Sequence, residues 1–542
     1  MPLFRRPRRL ALLVASLLAT AAAGPAAALA EGPAVPAQPG TREVMLVGNN
    51  WDGTADVVDT TSFKRLFRIN IVPDLQQRIA EIQRDPVQLV YYALLIRNLI
   101  GEGHDQLVDD MFTSHDGRYV YVSRPSLADV VAIDLRTHRL VWRTRIDGNR
   151  SDHMAISPDG KQLLVSASTA KVVDVVDTAT GRITHRIPSG DQPHESNYSA
   201  DGKRIYHASI GSVFTNFDDP SQDSAKGDRV FEVIDAKTFK VLQQVHMNRK
   251  MAEFGVQGAS AAVRPMAIAP GERYIYLQLS FLHGFVEYDQ QEQRVTRVAA
   301  LPLSAKAKTL SREQYVLDSA HHGLAINPEG TKLCVAGTMS DYAAIVARAD
   351  FRTTVIPVGD KPYWATNSSD GKYCYVSVSG EDRVAIISYA SEKEIASIPV
   401  GDHPQRVRVG RLRDGSGLPS SSPPAQRVAP GRLSLRARPT SDRRAPFRFR
   451  LSGELGLPLG IGAVAGCSGT VRIDLHRGGR RVARTSARLR TVGARCRYQR
   501  TLRVPARALP GRGRVALRAS ARFGGTPLLT PQRARTLRLT AR

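Results

Sequence analysis

One strand–turn–strand–turn–strand unit occurs six times in this chain, and that recurrence constrains the fold more than any other feature. Its clearest copy, SPDGKQLLVSASTAKVVDVVDTATGRITHRIPSGDQP, spans 157–193. Asp159-Gly160 supplies a tight hairpin turn, LLVSAS and VVDVVD alternate as strands, and DTATG turns the chain into RITHRI. The pattern returns at 114–146, 199–245, 269–298, 327–360 and 369–402. A seventh copy, VMLVGNNWDGTADVVDTTSFKRLFRI (44–69), lacks an inner strand, whereas HPQRVRVGRL (403–412) offers a strand with no unit of its own.

Units near 40 residues that cannot bury both of their faces alone must stack on one another. Seven of them close a ring if the strand at 404–410 completes the N-terminal unit, which leaves no open sheet edge. The expected fold class is all-β: a seven-bladed β-propeller over 43–412, with a small C-terminal β-sandwich over 447–542. An insertion at 73–106 reads as two short helices broken near Pro86, with Leu89, Tyr92, Leu95 and Ile96 at helical spacing. The stretches SPDGK…VSAS…VVDVVDTATG…IPSGDQP and DGKYCYVSVS…VAIIS…IPVGDHP resemble the YVTN-type β-propeller repeat family of secreted and periplasmic proteins, over about residues 43–410. That resemblance implies a fold and leaves the function open, because propellers host binding, structural and enzymatic roles.

The two ends of the chain differ from the repeats. MPLFRRPRR, an apolar LALLVASLLATAAAG and Ala28-Leu29-Ala30 have the form of a cleaved export signal over 1–30. A linker then occupies 31–42, and the expected location is extracytoplasmic, in the periplasm or at the cell surface, with no transmembrane segment after cleavage. Residues 413–446 form a Pro/Ser/Arg-rich linker. The net charge of +26 sits wholly in the tail: 411–542 hold 30 Arg, no Lys and 4 acidic residues, leaving 46 basic and 46 acidic residues before it. Arginines alternate with apolar residues along the tail strands, so each strand has one dry and one basic face. Codon bias explains such a face, and so does an anionic cell-wall polymer as partner; nucleic acid is not expected.

Four cysteines in an oxidising compartment invite pairing. Cys467 and Cys496 fall on neighbouring tail strands and are expected to be bridged. Cys334 and Cys374 lie one repeat apart on equivalent strands. Packed sheets stand about 10 Å apart and a disulfide needs Cα atoms within about 7 Å, so two buried thiols and a bridge both fit. An acidic loop at 212–229 carries Asp218, Asp219, Asp223 and Asp228, whose spacing matches no EF-hand.

No G-x-S-x-G elbow, H-E-x-x-H, Walker loop, C-x-x-C or C-x-x-C-H is present, which sets covalently bound haem c aside. A propeller gathers its chemistry where the inner strands begin. With the repeats aligned on the hairpin turn, the seven equivalent positions are Asp109, Asp152, His194, Arg264, His322, Tyr363 and Gln405. The following positions hold Asp110, His153, Glu195, Pro265, Gly323, Trp364 and Arg406. Such a ring either faces water at a channel mouth or forms a site for a small anionic ligand or a partner's loop. Carboxylates and imidazoles converging on an axis suit one divalent metal, with His194, His322, Asp152 and Glu195 as candidates. The lactonase-type propellers resemble this chain in repeat and fold, which implies a hydrolase or lyase reading. His194 and His322 would then be acid–base or ligand groups, Asp152 and Glu195 ligands or orienters of the catalytic groups, and Arg264 an anion clamp. His104 and His321 lie near the ring but out of its register.

Overall fold

Thr41–Asn49 pairs antiparallel with Pro404–Arg413, from Thr41 opposite Arg413 to Asn49 opposite Pro404, so strands some 360 positions apart complete one sheet and lock the ring. The computed structural model describes residues 36–213, 225–414, 427–459, 461–509 and 513–541. The export signal and Asp218, Asp219 and Asp223 of the acidic loop lie outside them.

Residues 41–413 fold into seven four-stranded antiparallel sheets. Their inner strands are Pro404–Arg413, Met111–Thr113, Ser151–Ile156, Pro193–Tyr198, Val263–Ile268, Gly323–Ile326 and Pro362–Asn367. Each contacts the next, and the last returns to the first. That closed succession around one axis defines a β-propeller. The turn after four of the inner strands repeats one device, built on Ser114, Ser157, Ser199 and Ser368; in one copy Ser157 Oγ accepts from the backbone N–H groups of Lys161 and Gln162 and donates to Asp159. Gly160 takes φ +70°, and a Cβ there would meet the His115 ring at 2.9 Å. The middle strands are rich in Val, Ile, Leu and Tyr, and both faces are buried because every sheet is packed on two neighbours.

Cys334 and Cys374 are bridged, with Cα atoms 6.5 Å apart. The interface around them is built from small residues, among them Ala325, Ala336, Ala365 and Ala385, so these two sheets approach more closely than bulkier cores allow. The second bridge, Cys467–Cys496, pins the tail. There one sheet runs through Arg436–Arg438, Phe447–Leu455, Arg495–Val504 and Arg490–Val492. A second holds Leu537–Ala541, Val515–Phe523, Thr470–Arg477 and Arg480–Arg488. Phe449, Leu451, Val471, Ile473, Leu517 and Phe523 fill the space between them, giving the sandwich.

The insertion folds as Leu75–Arg84, Pro86–Val90 and a π-helical Tyr91–Ile100. Asp85 caps the break by accepting from Val87 and Gln88, and Pro86 fits the first helical position. Leu75, Ile79, Ile82 and Tyr92 pack with Leu107 and Leu127 of the propeller and Ala465 of the tail. Arg97 donates to the Val464 carbonyl, Arg488 to that of Asn98, and the Gly469 amide to Gly103. The insertion is thus held from both sides. No helix among the described residues is long and apolar enough to cross a membrane.

Candidate functional site

The seven aligned positions converge. Asp109, Asp152, His194, Arg264, His322, Tyr363 and Gln405 all line one cavity at the axis, together with His153 and Arg406 from the following register. Neighbouring positions reach the same space because the pairing slips at the start of the inner strands, between Ser151 and Met154, Pro193 and Glu195, Val263 and Met266, and Pro362 and Ala365. A bulge turns two successive side chains toward one side, and bulges recur beside sites for that reason.

Serines on the second strands fix these strand starts. Ser123 Oγ donates to the Asp152 carbonyl at 2.7 Å, Ser166 to that of His194 at 2.8 Å and Ser377 to that of Gln405 at 2.6 Å. Each bond crosses from one sheet to the next, so the ring of sheets sets the spacing of the axial side chains.

The site is not an open mouth, which corrects the expectation from the repeat alone. Ile100 of the π-helix, Ile210, Val213 and Leu317 roof it, leaving about 20 Å³ among the polar groups, room for about one water molecule. Every aligned side chain is buried. Two further corrections concern direction. Glu195 turns to Asn197, 3.0 Å away, and Asp110 to Arg408; both sit below the cavity rather than in it. Trp364 does not line the cavity either; its ring lies 6.0 and 6.2 Å from those of His153 and His322, with the guanidinium of Arg406 3.9 Å and that of Arg408 4.8 Å from it. His104 stacks on Trp51 and His321 bonds Tyr342, so neither enters the cavity.

His153, His194 and His322 meet with ligand nitrogens within 4.8 Å of one another. The rings of His153 and His194 are 3.9 Å apart, and Tyr363 stacks on His322 at 4.0 Å. Burial pushes all three imidazoles well below the usual histidine range; Arg406 pushes all three further and Arg264 pushes His194 and His322, which favours the neutral form. The Nδ1 atom of each has no hydrogen-bond partner among the described residues. A second group, Asp109, Asp152 and His153, adjoins the first. Arg150 takes both oxygens of Asp152, at 2.6 and 3.2 Å. Asp109 keeps Oδ2 unpartnered, and its nearest cation, Arg406, is 4.0 Å away. Burial raises Asp109 to about 7.

Arg264 is the cation without a carboxylate contact. Its Nε donates to Ser280 at 3.0 Å and Nη2 is buried with no partner among the described residues. Burial lowers its guanidinium from the usual range. Arg150 and Arg408 did not stand out in the sequence. Arg150 precedes the strand, and Arg408 points to the axis only because residues 404–413 complete a sheet begun at residue 41. The serine at one offset in YVYVSR, LLVSAS and YCYVSVS is the sequence signal for the pins between sheets.

The fold and the cavity define a class: a β-propeller with a roofed, polar axial site. No family model matches the sequence, and no curated protein does. Among solved structures it is similar to hydrazine synthase of Kuenenia stuttgartiensis, at 18% identity and TM-score 0.42, over 57% of this chain and 96% of that one. It is also similar to the dihydro-heme d1 dehydrogenase NirN in complex with DHE, at 12% identity and TM-score 0.41, over 76% of this chain and 70% of that one.

Proposed function

We propose that this protein is an exported, YVTN-type propeller that, when the apolar cover over its axis opens, binds a small anionic ligand there, held by one divalent metal ion and Arg264. The observation that carries this reading is the meeting of His153, His194 and His322, three neutral buried imidazoles with unpartnered ring nitrogens. Buried polar atoms without partners are costly, and an ion at that point removes the cost. Zinc–imidazole bonds of 2.0–2.1 Å place tetrahedral nitrogens about 3.4 Å apart, so the rings need to close in by less than about 1 Å. Three imidazoles favour zinc, copper or nickel over magnesium or calcium. A metal beside Arg264 and Arg406 concentrates positive charge, and an anion balances it.

Hydrolase or lyase chemistry is the second reading, and Asp109 favours it. A carboxyl raised to about 7 with one free oxygen in the cavity is matched to taking and returning a proton at neutral pH. In that role Arg264 would hold the anionic end of the substrate with its planar fork.

Titrating Zn²⁺ or Co²⁺ into metal-stripped protein by calorimetry tests the reading. We expect one ion per chain, and at least a hundredfold weaker binding in His194→Ala and His322→Ala. Absence of stoichiometric binding, or binding unchanged in both variants, overturns it.

A further inference from the structure

In the tail, Arg490 sits directly opposite Arg497 in antiparallel register, an arrangement of like charges that destabilises a sheet. Arg448 and Arg503 also face each other, outside any such cavity. The Arg490–Arg497 pair lies in a cleft of about 1050 Å³ where the two sheets of the sandwich meet. Arg436, Arg488, Arg495 and Arg500 line the same cleft, against the carboxylates of Glu102 and Glu454 alone. Glu102 is bound to Lys361, at 2.6 Å. Glu454 lies 3.8 and 3.6 Å from Arg495 and Arg497, which leaves Arg436, Arg490 and Arg500 without a carboxylate contact among the described residues. Arg488 is half-buried; burial, then Arg490 and Arg500, pushes its guanidinium below the usual arginine range. The fold therefore concentrates positive charge at a concave place whose lining, among the described residues, holds more arginines than carboxylates.

We propose that this cleft binds an anionic polysaccharide-type polymer, one whose repeating charge is a phosphodiester or a carboxylate. Arg495 and Arg497 project from one side of a strand about 7 Å apart, and Arg490 extends the charges across to the neighbouring strand. That is a row suited to repeated anions, whereas a single small anion calls for donors converging on one point. Guanidinium forks bind either anion through paired hydrogen bonds. Nucleic acid fits less well: the one aromatic residue in the cleft, Tyr498, is buried and donates its hydroxyl to the Ser434 carbonyl at 2.6 Å, so no ring face is offered to bases.

The test uses the full chain with three probes: polyphosphate, polygalacturonate and single-stranded DNA of similar length. Binding to polyphosphate or to polygalacturonate is expected, and the tighter of the two names the charged group. Arg490→Ser with Arg497→Ser should weaken that binding at least tenfold. It should also reduce the slope of log affinity against log salt by about 1.4, about 0.7 for each lost contact on a single-stranded polyanion. Because this double variant relieves repulsion, its melting temperature without polymer should not fall. Arg448→Ser with Arg503→Ser, the facing pair outside the cleft, should bind within twofold of the parent. Equal losses in the two double variants would show diffuse attraction to the whole tail and overturn the site. DNA bound as tightly as the better of the other probes would overturn the polymer class.

Discussion

Asp110 and Arg408 form a two-bonded ion pair beneath the axial cavity, with Nε and Nη2 at 2.9 and 2.8 Å from the two carboxylate oxygens. Both side chains are buried, and Asp110 also accepts from the Met111 and Met154 amides. Despite burial, Arg408 holds the Asp110 carboxyl below the usual range. The pair ties the closing strand 404–413 to the start of the next sheet. Asp110→Ala leaves Arg408 charged in a buried place, and should cost about 3–5 kcal/mol in urea unfolding. Replacing both by Asn and Met should cost clearly less. A loss below about 1 kcal/mol for the single variant would show that the pair does not hold the ring.

The Cys334–Cys374 bridge spans 40 residues and ties two sheets through their second strands. A closed loop of that length restricts the unfolded chain by about 4 kcal/mol in the chain-entropy model. Cys334→Ala with Cys374→Ala should lower unfolding stability by about that amount under oxidising conditions. Equal stability of parent and variant would assign the bridge no such role.

The ring was legible because each sheet is written out in the sequence as the same strands and turns, and its closure because one unit lacked a strand that residues 404–410 could supply. Asp152, His194, Arg264 and His322 followed from the alignment alone. His153 was harder to place beside them. In an unbroken strand it would point away from Asp152, and the slip in pairing between Ser151 and Met154 that turns it inward leaves no mark in the sequence. Glu195, also at the second position, turns away instead, since Asn197 two residues on takes its carboxylate. The roof was illegible for another reason. Ile100, Val213 and Leu317 come from segments outside the repeat register and Ile210 directly follows a second strand, and only tertiary packing brings them over the axis. The Cys334 bridge depended on alanines at an interface whose spacing is set by both sheets together.

Asp174, on the third strand of its sheet, has no solvent exposure; it accepts from the Asp147 amide at 2.8 Å, while Arg186 stands 4.0 Å off. Burial raises its carboxyl to about 6. The folded state therefore binds this proton more tightly than the unfolded chain. The stabilisation is complete below about pH 3.8 and is lost as pH rises through about 6. A shift of this size corresponds to about 3 kcal/mol at most. Asp174→Asn keeps an acceptor for the Asp147 amide and removes the charge. It should be more stable than the parent at pH 8 and no more stable at pH 4, as read by melting temperature. A gain of equal size at both values would locate the effect elsewhere than in this proton.

Arg97 links the tail to the roof of the axial site. It is buried, with Nε 2.7 Å from Asp105 and Nη1 2.6 Å from the Val464 carbonyl, while Tyr92 holds the other Asp105 oxygen at 3.0 Å. Three residues further along the same π-helix is Ile100, part of the apolar cover over the histidines. Because that cover buries every aligned side chain, a ligand reaches the axis only when some of it opens. Hydrogen bonds to a charged group contribute about 1.5–3 kcal/mol each, so losing about 2 kcal/mol in Arg97→Ala should raise the population of the locally open state about thirtyfold. Hydrogen exchange in peptides covering 91–106 should rise accordingly, with peptides covering 373–378 unchanged because their strand is central to another sheet. Unchanged exchange at 91–106 would mean that Arg97 does not restrain the roof. A uniform rise across the chain would mean that the substitution destabilises the whole fold.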